Sequence, residues 1–551
     1  MNNQSIALKG QKASPGLGYG PVVFINHFDV KKNLPLLAKQ DFNSNDQITL
    51  LEKALAKSLG DLEDLKSRFA KQEASKIEIL EAHQALISDP EVFDQSVEKI
   101  NTDKKFAFVA YQEVISSFKD LFSSVDDPYI KQRVLDLDDI SNRVLFYIAN
   151  PNLKYSEISI EKPSIVVAKD MTPSEILSLD KTKILGIVLY DGSPQSHTSI
   201  IARSMEIPCV VNLHELERVN VANFKDLILD GDSGNVILNP NEKDIVSFQN
   251  KILVLNAHKK YLSTFIGKPT KSKSGQLIPL GANISGPQDI DSVLKNDAEL
   301  VGLYRTEFLF LDRAAAPSEN EQYETYCEVF KKLGHKRIIL RTLDIGGDKE
   351  APYINVGQEE NPFLGVRGIR LCLRNKELFY GQLKAVLRAS KYCSDLGIMF
   401  PMVSTISEIK EAKSLFNEIK VELQSQNIEI GKKINLGVMM EVPSLAWILS
   451  EVSKEVSFIS IGTNDLFQYS NACDRMNSNL KSISSPTHEG FLRFIKFIVT
   501  EAKTYNLHVG VCGSIAHHPD IMPFLISTGV HDLSMTAQHI LESRAKISEL
   551  N

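Results

Sequence analysis

Four arginines stand out by their placement. Arg305 follows Val301-Gly-Leu-Tyr304, Arg341 follows Arg337-Ile-Ile-Leu340, Arg367 closes Asn361-Pro-Phe-Leu-Gly-Val-Arg367, and Arg475 follows Asp474. Three of the four sit at or just past a predicted strand end. A guanidinium stays charged and forks onto phosphate or carboxylate oxygens, so convergent arginines imply a small, multiply charged anion. One arginine alone is as well read as a solvated or ion-paired residue. Several at successive strand ends weigh against that reading. Two acids fall in the same ring: Glu441 ends Leu436-Gly-Val-Met-Met-Glu441, and Asp465 follows Ser460-Ile-Gly-Thr-Asn464. A hard cation such as Mg2+ takes one or two carboxylates from protein and the rest of its oxygens from substrate and water. Plain ion pairing with the arginines is the alternative. Asn464 carries an amide that can donate to a phosphate oxygen. Cys512, in Val509-Gly-Val-Cys512-Gly513, is either inert packing or a proton donor with a tuned pKa.

A further candidate lies earlier. In Asp191-Gly-Ser-Pro-Gln-Ser-His197-Thr-Ser-Ile-Ile-Ala-Arg203 a turn hands over to a helix, with His197 in its first turn. A phosphorylated imidazole would gain there from exposed backbone N–H groups and the positive helix end. A histidine beside a helix cap with no such role is the competing reading.

The elements that must hold these residues follow from the hydrophobic pattern. Pro21-Val-Val-Phe-Ile25 reads as a strand after a Gly/Pro turn over Ala13–Gly20. From about Asn45 to Asn150 apolar residues recur at spacings of three and four, as in Leu51, Ala54, Leu55, Leu59, Leu62 and Leu65, which predicts a bundle of amphipathic helices. Strand runs at Ser164–Ala168, Ile184–Tyr190, Cys209–Val211 and Leu227–Leu229 alternate with helical stretches and predict a small α/β unit. Glu242–Phe265 reads as one polar-faced helix and Gly267–Gly275 as a linker. The rest alternates strand and helix, with strands ending near Gly281, Arg305, Arg341, Pro401, Glu441, Ile461 and Val511. That is the pattern of a (β/α)8 barrel, or of a doubly wound open sheet. Charged residues just past the strand ends favour the barrel, whose active sites sit at that face.

Length and composition bound the class. At 551 residues the chain exceeds one ordinary core, and 43% hydrophobic with 24% charged residues is ordinary for a globular protein. A net charge of -7 argues against general nucleic-acid binding. Six scattered cysteines without a CxxC pair fit a reducing compartment. No apolar run approaches a membrane span, and the start lacks a basic segment leading into a long apolar one. The expectation is a cytoplasmic protein without membrane insertion.

Eight motifs in order carry a resemblance over nearly the whole chain. They are Ala13-Ser-Pro-Gly16, Asp170-Met-Thr-Pro-Ser-Glu175, Ser196-His-Thr-Ser-Ile-Ile-Ala-Arg203, Gly302-Leu-Tyr-Arg-Thr-Glu-Phe-Leu-Phe310, Arg341-Thr-Leu-Asp-Ile-Gly-Gly-Asp-Lys349, Glu360-Asn-Pro-Phe-Leu-Gly365, Gly462-Thr-Asn-Asp-Leu466 and Cys512-Gly513. The chain resembles the enzyme I family of the bacterial phosphoenolpyruvate:sugar phosphotransferase system. The resemblance implies N-terminal strands (1–25) and an α/β region (151–240) forming a swivelling phosphohistidine domain, and a helical insertion (26–150) that docks the carrier protein HPr. It implies a linker helix (241–275), then a TIM barrel (276–551) that binds phosphoenolpyruvate and Mg2+ and forms a homodimer. On this resemblance His197 is phosphorylated. Arg305, Arg341, Asn464, Asp465 and Arg475 bind substrate, with Arg367 near it. Glu441 and Asp465 hold Mg2+, and Cys512 protonates the enolpyruvate carbon to give pyruvate. The sequence departs from the family at Ser193, Gln195, Ser514 and Asp138, where the family carries a glycine, a threonine, an acid and an arginine. Relatives that make or use ATP share the phosphohistidine domain and barrel, but no Gly-rich nucleotide domain precedes residue 164. A weakly catalytic regulatory protein, read by partners through its phosphorylation state, is the rival of a different class.

Overall fold

The computed structural model describes residues 5–25, 42–69, 74–124, 128–152, 160–194, 196–218, 224–311, 313, 315–347, 351, 353–354, 357, 359–474, 477–480, 483, 485 and 487–551. It divides into two compact units, Met1–Asn256 and Ala257–Asn551. The division falls inside helix Glu242–Ser263.

The first unit is built on an eight-stranded mixed sheet in the order β1-β8-β7-β3-β4-β5-β6-β2. Its strands are β1 (Ile6–Lys9), β2 (Gln11–Ser14), β3 (Leu17–Ile25), β4 (Ser164–Ala168), β5 (Ile184–Leu189), β6 (Cys209–Val211), β7 (Asp226–Asp230) and β8 (Asn235–Leu238). β3 pairs in parallel with β4, so the helical region enters the chain between two neighbouring strands. That region contains helices Ser44–Phe69, Ala74–Ile87, Pro90–Thr102, Ala107–Ser124 and Pro128–Ala149. Their starts follow local chemistry. Asp89 caps the third helix by accepting from Glu91 N–H, and Pro90 takes the first helical position, where no amide hydrogen bond is lost. Leu62, Leu65, Leu80, Ile87 and Ile140 share a buried cluster with Val166, Ala168, Met171 and Ile187, so the helices pack onto the α/β core.

Residues 17–20 belong to β3 rather than to a Gly/Pro turn. A Cβ on Gly18 would lie 2.3 Å from the Leu185 carbonyl oxygen, and one on Gly20 2.5 Å from Leu185 Cδ1. These glycines mark close backbone approach within the sheet, which composition alone makes look like a turn.

The second unit is a closed barrel of eight parallel strands. They are β9 (Leu280–Ile284), β10 (Leu300–Arg305), β11 (Arg337–Arg341), β12 (Asp395–Phe400), β13 (Ile434–Met440), β14 (Phe458–Gly462), β15 (His508–Cys512) and β16 (Asp532–Thr536). β16 pairs with both β15 and β9, which closes the ring and excludes the open sheet. Most strands read as near-continuous apolar runs because both faces are covered. β16 escapes that pattern. Asp532-Leu-Ser-Met-Thr536 alternates polar and apolar residues, so the last strand is missing from the seven read in the sequence. Capping boxes at Ser318/Glu321 and Thr405/Glu408 start two of the helices that cover the barrel. Leu303, Ile339, Met399, Met439, Phe458 and Cys512 form a separate apolar layer. They come from neighbouring strands of the ring, which makes this layer the packed barrel interior.

Candidate active site

The carboxyl ends of the barrel strands hold the candidates. Arg305, Arg341 and Cys512 are the last residues of β10, β11 and β15. Glu441 follows β13 directly, and Asn464 and Asp465 lie in the first turn of helix Thr463–Asn471, after β14. Arg367 comes from no strand end. It returns from the long segment after β11, between the short 3-10 turn Pro362–Leu364 and helix Ile369–Arg374. All seven line one cavity of about 190 Å³. Arg475 lies outside the described residues. His197 begins helix His197–Ser204 in the other unit, where the Ser196 side chain caps the helix by accepting from Ser199 N–H.

Two cavity acids were not assigned from the sequence, Glu307 and Asp344. The signal was available in Arg305-Thr-Glu307 and Arg341-Thr-Leu-Asp344, acids two or three residues past strand-end arginines. They form an alternating chain of charges. Arg341 NH2 donates to Glu307 Oε1 at 2.6 Å, and its NH1 lies 3.1 Å from Asp344 Oδ2. Arg367 donates to both Asp344 oxygens, at 2.9 and 3.0 Å, and to both Asp465 oxygens, at 3.1 and 3.3 Å. Desolvation opposes the charge on both arginines, and the surrounding carboxylates overcome it and hold them firmly cationic. Arg305 is held otherwise: its NH2 donates to Ser285 Oγ at 2.9 Å, and its guanidinium lies over the Phe308 ring. Buried Nε groups of Arg305 and Arg341 have no hydrogen-bond partner among the described residues.

Glu441 is fully buried. Its Oε1 accepts from Met402 N–H at 2.6 Å, from a backbone held at φ 58°. That left-handed value is uncommon for a residue with a side chain and is found at functional sites. Glu441 Oε2 has no partner among the described residues. Burial first, then the nearby charges of Asp465 and Asp344, push this carboxyl up to about 8. The cavity is lined by three arginines and four carboxylates among the described residues, a poor home for an anion unless a cation joins it. An orphaned buried carboxylate oxygen, in a cavity that Asp465 also lines, suits a hard divalent cation.

Asn464 is oriented by a neighbour. Ser514 Oγ donates to its Oδ1 at 2.9 Å and Ser514 N–H does so at 3.4 Å, which commits the amide oxygen and leaves the NH2 edge to donate. Cys512 lies on the apolar layer. Burial pushes its thiol up to about 11, so it carries its proton at neutral pH. Gly513 sits at φ +115°, and a Cβ there would lie 2.3 Å from Thr463 Oγ1, so glycine lets the end of β15 pass beneath the Thr463–Asp465 turn.

In the first unit, the turn before His197 is tied from its own helix. Ser199 Oγ donates to Ser193 O at 2.7 Å, and Arg203 donates to Pro194 O and twice to Ala13 O. Thr198 Oγ1 donates to Met171 O at 2.6 Å. Gln195 lies outside the described residues, and Asp138 falls in helix Pro128–Ala149.

Comparison with known proteins finds three family domains along the chain. Residues 259–551 match the family described as PEP-utilising enzyme, PEP-binding domain, residues 160–234 its mobile domain, and residues 9–133 its N-terminal domain. A phosphoenolpyruvate-protein phosphotransferase of Bacillus subtilis (strain 168) is 38% identical over 99% of this chain and 94% of its own. One from Staphylococcus aureus is 38% identical over 94% and 91%. A solution structure of an Enzyme I protein aligns with 45% of this chain and 99% of its own, at 31% identity and a TM-score of 0.37. The barrel itself rests on strand pairing and not on that superposition. By matches that run nearly end to end, the chain belongs to the phosphoenolpyruvate-protein phosphotransferase family.

Proposed function

We propose that the barrel cavity binds phosphoenolpyruvate and that the phosphoryl group passes to His197 and from there to HPr. The observation that carries this reading is the convergence of Arg305, Arg341 and Arg367 with Asn464 on one cavity of about 190 Å³, a size suited to a small anion. Phosphoryl transfer asks mainly for positioning and charge stabilisation. The arginines and the Asn464 amide bind phosphoryl and carboxylate oxygens, and Arg475 is assigned to the same task from its motif. In the reaction the bond from phosphorus to the enol oxygen breaks, and a bond from phosphorus to an imidazole nitrogen of His197 forms. The electron pair left on the enolate takes up a proton at carbon, giving pyruvate. Cys512 is the assigned donor, since a thiol held protonated by burial has a proton to give. Its thiolate then recovers a proton from solvent.

Glu441 and Asp465 are the residues that would hold the metal, taken as Mg2+, and the cation would supply positive charge to a cavity whose arginines Arg341 and Arg367 are already paired with carboxylates. A homodimer through the barrel is part of the same reading. A cytoplasmic site of action fits the six cysteines, all buried and none in a disulfide. Among the described residues no helix is long and apolar enough to cross a membrane.

The test is label transfer from radioactive phosphoenolpyruvate, with and without HPr. The protein should become labelled alone and lose the label to HPr. Unlabelled protein after incubation with Mg2+ and phosphoenolpyruvate would reject the assignment.

A further inference from the structure

Asp344 is fully buried and lies between two cations of the cavity. It sits in the middle of the chain Glu307–Arg341–Asp344–Arg367–Asp465. Glu307 pairs with Arg341 and Asp465 pairs with Arg367, whereas Asp344 pairs with both arginines. Its two oxygens do different things. Oδ1 accepts from Arg367 Nε at 2.9 Å, and Oδ2 accepts from Arg367 NH2 at 3.0 Å and lies 3.1 Å from Arg341 NH1 as an ion pair. One carboxylate oxygen therefore bridges the two guanidiniums, and the other fixes the rotation of Arg367 about its own plane.

We propose that Asp344 is a positioning residue for the substrate anion: it sets the spacing and mutual orientation of Arg341 and Arg367 so that both face one small ligand. Two guanidiniums in a buried site repel each other, and Arg367 opposes the charge of Arg341. A carboxylate between them offsets the repulsion and, through its fork, gives the pair a defined geometry. Glu307 holds Arg341 from the side of β10, where it fixes one arginine but not the spacing of the two. Asp465 is the poorer anchor for Arg367, because it is the carboxylate assigned to the cation. The division of labour follows: Asp344 faces arginines, and Glu441, with its orphaned Oε2, faces the metal position. Asp344 lies three residues past Arg341, the end of β11, so its backbone is anchored close to the strand and its reach is short. A neutral side chain of the same shape should leave the fold and spoil the aim.

The inference rests on reading this cavity as the phosphoenolpyruvate site, and the experiment separates the two. All proteins carry His197→Ala, so that binding is measured without turnover. Calorimetry with phosphoenolpyruvate and Mg2+ is run on that parent, on Asp344→Asn and on Asp344→Glu, each with a melting curve. Losing a charged partner in a buried network should weaken binding by about tenfold to a hundredfold in Asp344→Asn. Asp344→Glu keeps the charge and should recover part of the loss. If Asp344 serves only stability, Asp344→Asn would melt earlier and bind as the parent does, and that result overturns the proposal. If Asp344→Asn fails to fold, Asp344→Glu decides: weakened binding in a folded protein supports the proposal, and parental binding overturns it. A parent that binds no phosphoenolpyruvate would bring down the site assignment itself, and this inference with it.

Discussion

Glu441 offers a measurement that needs no turnover. Its carboxyl is held up to about 8 by burial and by the charges of Asp465 and Asp344. At pH 7 a group with that value is about nine-tenths protonated, so a cation that binds its unpartnered Oε2 must expel about 0.9 proton. At pH 9 the expected release falls to about 0.1. Calorimetric titration of metal into chelator-treated protein, in buffers of different ionisation enthalpy, reads that number as a slope. Glu441→Gln should abolish the release at both pH values. The raised proton affinity has a stability consequence. The folded state keeps a proton that the unfolded chain gives up above about 4.5, so this group's contribution is present below that pH and is lost as pH rises through 8. Between pH 5 and 8 the loss in metal-free protein is on the order of 3–4 kcal/mol, since each tenfold difference in proton affinity between folded and unfolded chain is worth about 1.4 kcal/mol. Denaturant curves at pH 5 and 8 should separate accordingly in chelator and converge in Glu441→Gln. Metal binding at pH 7 with no proton release would contradict the reasoning, because Glu441 would then be ionised already or not a ligand.

Other outcomes follow from the same geometry. Cys512→Ala should slow single-turnover pyruvate release by about 10²–10⁴ and barely change phosphoenolpyruvate affinity, because binding rests on the arginines; near-normal release beside a small melting shift would leave Cys512 as packing. Arg367→Lys should weaken phosphoenolpyruvate binding by about tenfold or more, since a point charge cannot fork onto Asp344 and Asp465 together. Titration of that variant with binding unchanged would show that the fork is dispensable.

Much of the barrel ring is legible in the sequence because strand-end chemistry is local. Arg305, Arg341 and Cys512 each close an apolar run, and each closes a strand in the structure. The partners of those residues are not legible, because pairing is a property of three dimensions. Glu307 and Asp344 stand in plain view beside the arginines, yet nothing in their spacing says that one bridges Arg341 to Arg367. Arg367 illustrates the same limit, since it reaches the cavity from a long loop rather than from a strand end. Ser514 stands where the family has an acid, but its hydroxyl still orients Asn464, a hydrogen bond that a residue comparison cannot foresee. β16 is hidden for a different reason: its polar alternation masks a strand that the closed ring needs. The glycines at 18 and 20 mislead because a glycine required by close packing looks, in sequence, like one required by a turn.

The proposed function turns on one covalent event, the arrival of the phosphoryl group on His197, the first residue of helix His197–Ser204. The most direct measurement is peptide mapping of protein incubated with labelled phosphoenolpyruvate and Mg2+, under alkaline conditions that preserve phosphohistidine, beside the same experiment on His197→Ala. The expected result is acid-labile label on the peptide containing His197 and none in the variant, with both proteins melting alike. Label retained in His197→Ala, or found on another peptide, would contradict it.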